Sequence, residues 1–309
     1  MSTAVDGEPF VHPALFYRGV EQYTAGTVPF LQEGLAAGEA VAVAVPGPNL
    51  ELIRTGLGSN AGRVRLLDMT EAGRNPGRII PGVLRAFADA HPGGRVRIIG
   101  EPIWAGRSAV EYPACVQHEA LINAAFGGRE VTILCPYDAD RLEPEVLADA
   151  RATHPVVIDG DGELASEAYD PERVIARYNE PLRYPPGAAT LSFDTEDLPK
   201  ARYFAVQEAE RLGLAGVRLQ DLTLAMAELT TNSVLHGGGS GTLRIWAEGE
   251  QIVCEVQDGG RLTDPLAGRR PPSRDQPGGR GLLLVHYVAD LVRVHTAPDG
   301  TTIRCYLSR

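Results

Sequence analysis

Residues 227–238 read AELTTNSVLHGG, and the side chains in them that can do chemistry are Glu228, Asn232 and His236. Residues four apart on a helix advance by about 400°, so the three stack along one face with a slow drift. A carboxylate and an amide oxygen on one surface suit Mg²⁺: the amide oxygen is a hard ligand, and the carboxylate holds a metal-bound water or accepts a proton. Alone, the same pattern is an ordinary solvent-facing helix edge, and His236 is equally a cation set against a helix C-terminus. The run QIVCEVQ ends in DGG (258–260), an aspartate at a strand tip followed by glycines where backbone turns tightly or approaches a ligand. Asp258 there can accept a hydrogen bond from an exocyclic amine such as that of adenine, although D-G also punctuates plain turns. PGGRGLLLV (277–285) sets Gly278, Gly279 and Gly281 before an apolar helix, where backbone N–H groups and the helix dipole can hold phosphate.

These residues need elements to position them. A helix over about 217–236 carries the first set, preceded by the short strand ATLSF and a helix opening at Asp197 with Pro199 in its first turn. Two hairpins follow, TLRIWAE-GE-QIVCEVQ and LVRVHTA-PDG-TTIRCYL, with an arginine-rich loop and the helix GLLLVHYVADL between them. From about 12 to 160 the rhythm differs: apolar runs at 40–45, 64–69, 96–101, 131–136 and 155–159 alternate with helical segments at 20–38, 81–93 and 111–128. That alternation predicts βαβ units and a parallel sheet covered on both faces. YNEPLRYPPGAA (178–189), with three prolines and a glycine, places the boundary near 185, giving domains 1–185 and 186–309.

A length of 309 residues suits about two domains, and 44% hydrophobic with 22% charged residues is ordinary for a globular chain. No stretch approaches the roughly 20 apolar residues that span a bilayer. MSTAVDGEPF has neither a basic nor an apolar signal region, so a cytoplasmic location is expected. A net charge of -11 argues against broad attraction to nucleic acid or anionic lipid. Cys115, Cys135, Cys254 and Cys305 form no C-x-x-C pair and read as buried thiols.

In order and spacing, AELTTNSVLHG, DGG and GRGL resemble the boxes of the GHKL (Bergerat-fold) ATPases, particularly the RsbW-like anti-sigma serine-protein kinases, over about 187–309. The resemblance implies Glu228 as general base and Asn232 as Mg²⁺ ligand. It implies Asp258 with Gly260 as the adenine-reading turn, and Gly279, Gly281 and Leu282, with Gly278 and Arg280 beside them, in the phosphate lid. His236 resembles the histidine frequent in these helices. The pattern D-x-G-x-G departs at its fifth position, here Leu262, which bears on loop geometry rather than on adenine recognition. Arg269, Arg270, Arg274 and Arg280 either offset triphosphate charge or form a solvated loop. A sensor histidine kinase would share the ATP fold, but QHEALINAAF (117–126) lacks the proline of a phosphoacceptor box and lies inside the α/β region.

The first region has VPGPNLELI after a strand where a P-loop would need G-x-x-x-x-G-K-[ST], which excludes that ATPase class. It resembles instead the MEDS (DcmR-like) sensory domain, a RecA-like module, through HPALFY, FLQEGLAAGEAV, IIGE, LCPYD and THP. His12, Glu101, Cys135, Tyr137 and His154 fall at predicted element ends, where open α/β sheets bind ligands. They could line one pocket for an unknown ligand or serve in packing, and their separations give a metal site no support.

The expectation is an α/β plus α+β protein: a RecA-like sensory domain adjusting a GHKL anti-sigma kinase. The resemblance implies that it binds ATP and Mg²⁺, engages a sigma factor or a STAS anti-anti-sigma protein, phosphorylates serine or threonine on the latter, and can form a homodimer. The alternative is a nucleotide-binding anti-sigma module without transferase activity. The acidic balance and the absence of a basic recognition helix from the sequence count against a DNA-binding regulator.

Overall fold

The structure, a computed structural model, describes residues 9–160, 162–271 and 279–309. The chain divides into two compact units, Met1–Tyr178 and Asn179–Arg309.

The first unit runs β1 (Phe10–Val11), β2 (Pro13–Tyr17), α1 (Gly19–Ala36), β3 (Ala40–Val45), α2 (Gly47–Leu57), β4 (Arg65–Asp68), α3 (Met69–Ala72), α4 (Ala86–Asp89), β5 (Val96–Gly100), α5 (Tyr112–Phe126), β6 (Val131–Asp138), α6 (Pro144–Thr153), β7 (Val156–Asp159), β8 (Gly162–Ala165) and α7 (Pro171–Arg177). Its sheet has the order β4-β3-β5-β6-β2-β7-β8, with β1 beside β6, and β8 antiparallel to β7. The other pairings are parallel. Burial of Val41, Val43, Val45, Ile98, Ile99, Ile133 and Leu134 explains the continuous apolar runs: helices cover both faces, so no position can be polar by alternation. The interior strand β2 begins at Pro13, and a residue with no N–H to donate is tolerated at the first position of a strand.

One expected helix is built differently. The segment 81–93 is a π-helical stretch, Ile79–Arg85, followed by α4, which ends at Asp89. Pro81 lies in the first turn of that stretch, where its missing N–H leaves no intrahelical bond unmade.

The second unit comprises β9 (Ala189–Asp194), α8 (Leu198–Arg211), α9 (Gly216–His236), β10 (Ser240–Glu248), β11 (Gln251–Asp258), α10 (Gly281–Val288), β12 (Leu291–Ala297) and β13 (Gly300–Ser308). Its antiparallel sheet has the order β12-β13-β11-β10-β9. Strand alternation sends Leu243, Ile245, Ile252, Cys254, Val256, Ile303, Cys305 and Leu307 into one core. Ala201, Ala205 and Ala209 of α8 and Leu222, Met226 and Leu229 of α9 pack into the same core at helical spacing.

The opposite sheet face carries a buried ion ladder. Glu255 is 1% exposed, lies in register with Arg244 and Arg304, and binds them at 3.0 and 2.6 Å. Tyr184 stacks 4.1 Å from the Arg244 guanidinium, and Arg304 also donates to the carbonyl of Arg183 at 2.8 Å. The segment expected as a linker thus caps this face of its own unit.

Candidate nucleotide site

The site is built from the last turns of α9. One face of that helix is committed to the core through Leu222, Met226, Leu229 and Ser233, which leaves Glu228, Asn232 and His236 on an adjoining, partly exposed face. His236 is the last residue of the helix, and Gly237 caps it.

The DGG turn packs directly on that end. Asp258 accepts from the Ser233 hydroxyl at 2.7 Å through Oδ2 and from the Gly260 N–H at 2.9 Å through Oδ1. Gly259 donates to the Gly237 carbonyl at 3.0 Å. Cβ atoms would not fit here: one added at Gly260 would stand 2.4 Å from the His236 carbonyl oxygen, and one at Gly237 2.4 Å from Asp258 Cγ. Glycine at both places is what lets the strand end approach the helix end. Each carboxylate oxygen of Asp258 keeps a further lone pair beyond these bonds.

The third piece is the start of α10. A Cβ added at Gly281 would stand 2.5 Å from Glu228 Oε2 and 3.5 Å from Asn232 Nδ2. Gly279, at φ +78°, occupies the left-handed region that favours glycine. Arg280 is exposed at the N-cap of α10, while Leu282 lies against Gly268. Gly278 and Arg274 lie outside the described residues.

Asn232, His236, Asp258, Gly260, Gly279, Gly281 and Leu282 line one cavity of about 630 Å³. Glu228 is not among its lining residues; it sits behind Gly281. The cavity also takes in Arg261, Leu262 and Thr301. Leu262, the departure from the D-x-G-x-G pattern, donates its backbone N–H to Thr296 Oγ1 at 3.0 Å and Thr301 Oγ1 at 3.2 Å. The Thr301 hydroxyl donates to the Gly260 carbonyl at 2.8 Å, so a threonine pair anchors the turn. Sequence reading missed Ser233 and Thr301; Thr301 stands opposite Asp258 only through the strand register.

The arginines divide. Arg269 is buried beside His286, whose imidazole is held well below its usual range by burial and then by that charge. Arg270 pairs with Asp264 at 2.6 Å, and Arg261 is exposed at the cavity.

The first unit holds two further groupings. Glu101 faces a cavity of about 470 Å³ at the carboxyl ends of β2, β3, β5 and β6, together with Tyr17, Tyr23 and Asn49. Asn49 donates to both its oxygens at 3.0 and 2.9 Å. Burial pushes its carboxyl up to about 8, against the opposing hydrogen bonds from Asn49, Tyr23 and Tyr17. His12, Cys135, Tyr137 and His154 lie elsewhere, buried together around Glu119, so the five candidates do not share one pocket.

Residues 11–155 match the MEDS family, described as the methanogen/methylotroph, DcmR sensory domain. Residues 191–307 match the histidine kinase-like ATPase domain. No curated protein matches the chain. Among solved structures, the RsbU and RsbW domains of Rv1364c from Mycobacterium tuberculosis share 18% identity over 41% of this chain, with a TM-score of 0.31. This chain spans 34% of that one. The Acinetobacter baumannii histidine kinase AdeS shares 10% identity over 64% of this chain and 96% of its own, with a TM-score of 0.25. Among the described residues, no helix is long and apolar enough to cross a membrane. The chain therefore carries a MEDS domain over residues 11–155 and a histidine kinase-like (GHKL) ATPase domain over residues 191–307.

Proposed function

We propose that the second unit binds ATP with Mg²⁺ and transfers phosphate to serine or threonine of a STAS-type anti-anti-sigma protein, under control of the sensory first unit. The observation that carries this reading is the convergence of three separated segments: Gly281 against Glu228 and Asn232, and Asp258 on the α9 terminus, around a cavity of about 630 Å³. That volume lies within the few hundred to about 1,000 Å³ typical of small-molecule sites.

The residues fit the nucleotide. Asp258, oriented by Ser233 and Gly260, offers lone pairs to the amine of adenine. The Asn232 amide oxygen would be the hard ligand for Mg²⁺, which would supply charge neutralisation at the transferring phosphoryl group. Gly279, Gly281 and Arg261 line the cavity, with Arg280 exposed at the N-cap of α10, and their backbone N–H groups and charge would suit the polyphosphate. Glu228 stands behind Gly281 as the group to take the hydroxyl proton.

The test is incubation of the full chain with labelled ATP, Mg²⁺ and a STAS protein. Label on serine or threonine of the partner, lost in Glu228→Ala, supports transfer. A partner that binds but stays unlabelled reduces the protein to a nucleotide-dependent anti-sigma module.

A further inference from the structure

The structure assigns a closed zinc site to His12, Glu119, Cys135 and His154 in the first unit. The four come from the residue before β2, the middle of α5, strand β6 and the cap of α6, and their ligand atoms all lie within 4.8 Å of one another. His12 and Cys135 are 123 positions apart, which is why no motif spacing announces the site.

The two histidine–Glu119 distances fit coordination better than hydrogen bonding. His12 Nε2 and His154 Nε2 stand 3.4 and 3.3 Å from the same oxygen, Glu119 Oε2, and Cys135 Sγ is 3.4 Å from His12 Nε2. A charge-assisted N–H···O bond would close to about 2.7–2.9 Å. A tetrahedral ion with ligand bonds of about 2.0–2.3 Å holds its ligand atoms roughly 3.3–3.8 Å apart.

The protons point the same way. His154 Nδ1 lies 2.8 Å from the Ala150 carbonyl, an acceptor only, so that nitrogen carries the hydrogen. His12 Nδ1 lies 3.1 Å from Asn123 Oδ1, and the Asn123 amide nitrogen donates to the carbonyls of Thr153 at 2.9 Å and Ala120 at 3.2 Å, which fixes the amide orientation. Each imidazole thus carries a hydrogen on Nδ1 and turns its Nε2 toward Glu119 Oε2. Two imidazole nitrogens and a carboxylate converge, and the hydrogen that stands among them is that of the Cys135 thiol, 3.4 Å from His12 Nε2. Both Glu119 oxygens and His154 Nε2 are buried without a hydrogen-bond partner among the described residues. A cation resolves this, and the Nδ1 bonds are the outer contacts that orient metal-bound histidines.

Charge and softness select the ion. One carboxylate and one thiolate neutralise a divalent cation, which removes the cost of isolated buried charge. Two imidazoles, a thiolate and a carboxylate in a tetrahedral cage suit zinc rather than magnesium or calcium. As the Zn–S bond forms, the Cys135 S–H bond breaks and its proton leaves to solvent. Four protein ligands leave no open position, so the ion ties β2, α5, β6 and the end of α6 together rather than doing chemistry.

The test uses the full chain, stripped with a chelator and reloaded with zinc or with cobalt as a spectroscopic probe. The expected result is one tightly held ion per chain by mass spectrometry. The cobalt form should show intense tetrahedral d–d bands and a near-ultraviolet sulfur-to-cobalt band. Cys135→Ala should lose the sulfur band, and His154→Gln should lose most of the metal. Should either variant fail to fold, the wild-type cobalt spectrum decides alone. Folded wild-type protein that takes up neither ion, or binds cobalt without a sulfur band, overturns the assignment.

Discussion

Replacing Gly281 by alanine separates phosphate transfer from nucleotide binding. The new Cβ would stand 2.5 Å from Glu228 Oε2, closer than carbon and oxygen tolerate, and the atom that must yield is the tip of a flexible, half-buried side chain. The fold can absorb that shift. Alanine also restores up to about 1 kcal/mol of helix propensity at the start of α10, so net stability should change by less than about 1 kcal/mol. Asp258, Ser233 and Thr301 are untouched, so affinity for ADP should hold within roughly fivefold, about 1 kcal/mol. Glu228, pushed off its position, should lose its role as base, which costs about 10²–10⁴ in the transfer rate. The assays are ADP titration by fluorescence, urea denaturation, and label transfer to a STAS partner. Transfer at the wild-type rate would refute the placement of Glu228 behind Gly281, as would loss of ADP affinity as large as the loss of rate.

Gly260→Ala meets rigid backbone instead, 2.4 Å from the His236 carbonyl oxygen; it should cost about 1–3 kcal/mol of stability and weaken ADP binding, and an unchanged denaturation midpoint would contradict the packing described. Asp258→Asn keeps one acceptor for Gly260 but presents an amide NH₂ donor to the adenine amine, so ADP affinity should fall by about 1–3 kcal/mol, read by calorimetry. Glu255→Ala leaves two buried arginines without their shared carboxylate and should lower stability by about 3–5 kcal/mol in urea denaturation. Glu101, pushed up to about 8 from 4.5, holds a proton in the folded state over a window where the unfolded chain has lost it. Its stabilisation is therefore complete below about pH 4.5 and is lost as pH rises towards 8, at up to about 1.4 kcal/mol per pH unit. Glu101→Gln should flatten that slope in melts taken across the range, and an unchanged slope would move its cause elsewhere.

The candidate site was readable as a grouping because most of it is local. Glu228, Asn232 and His236 share a face by helical period alone, and the glycines of DGG and GRGL mark places where backbone must come close. Ser233 and Thr301 were not legible: their partner Asp258 is reached through packing of β11 on α9 and through the register of β13 on β11. Leu262 looked like a departure with uncertain consequence, and the structure shows its backbone held by the Thr296 and Thr301 hydroxyls. In the first unit, continuous apolar strands were readable from composition. Which of their ends meet was not, since a parallel sheet brings together residues more than a hundred positions apart. Glu119 was read as part of a rejected phosphoacceptor box, because nothing in a helix sequence reveals two histidines arriving from other elements.

The central claim is that α9, the β11 turn and the α10 start enclose one magnesium-nucleotide. Calorimetric titration of the full chain with ADP and, separately, IDP, both with Mg²⁺, tests it most directly. The account predicts saturable binding of one ADP per chain, weakened by removal of the ion and by the oxygen that replaces the adenine amine in IDP. Absence of heat with folded protein, or equal affinity for the two nucleotides, would contradict it.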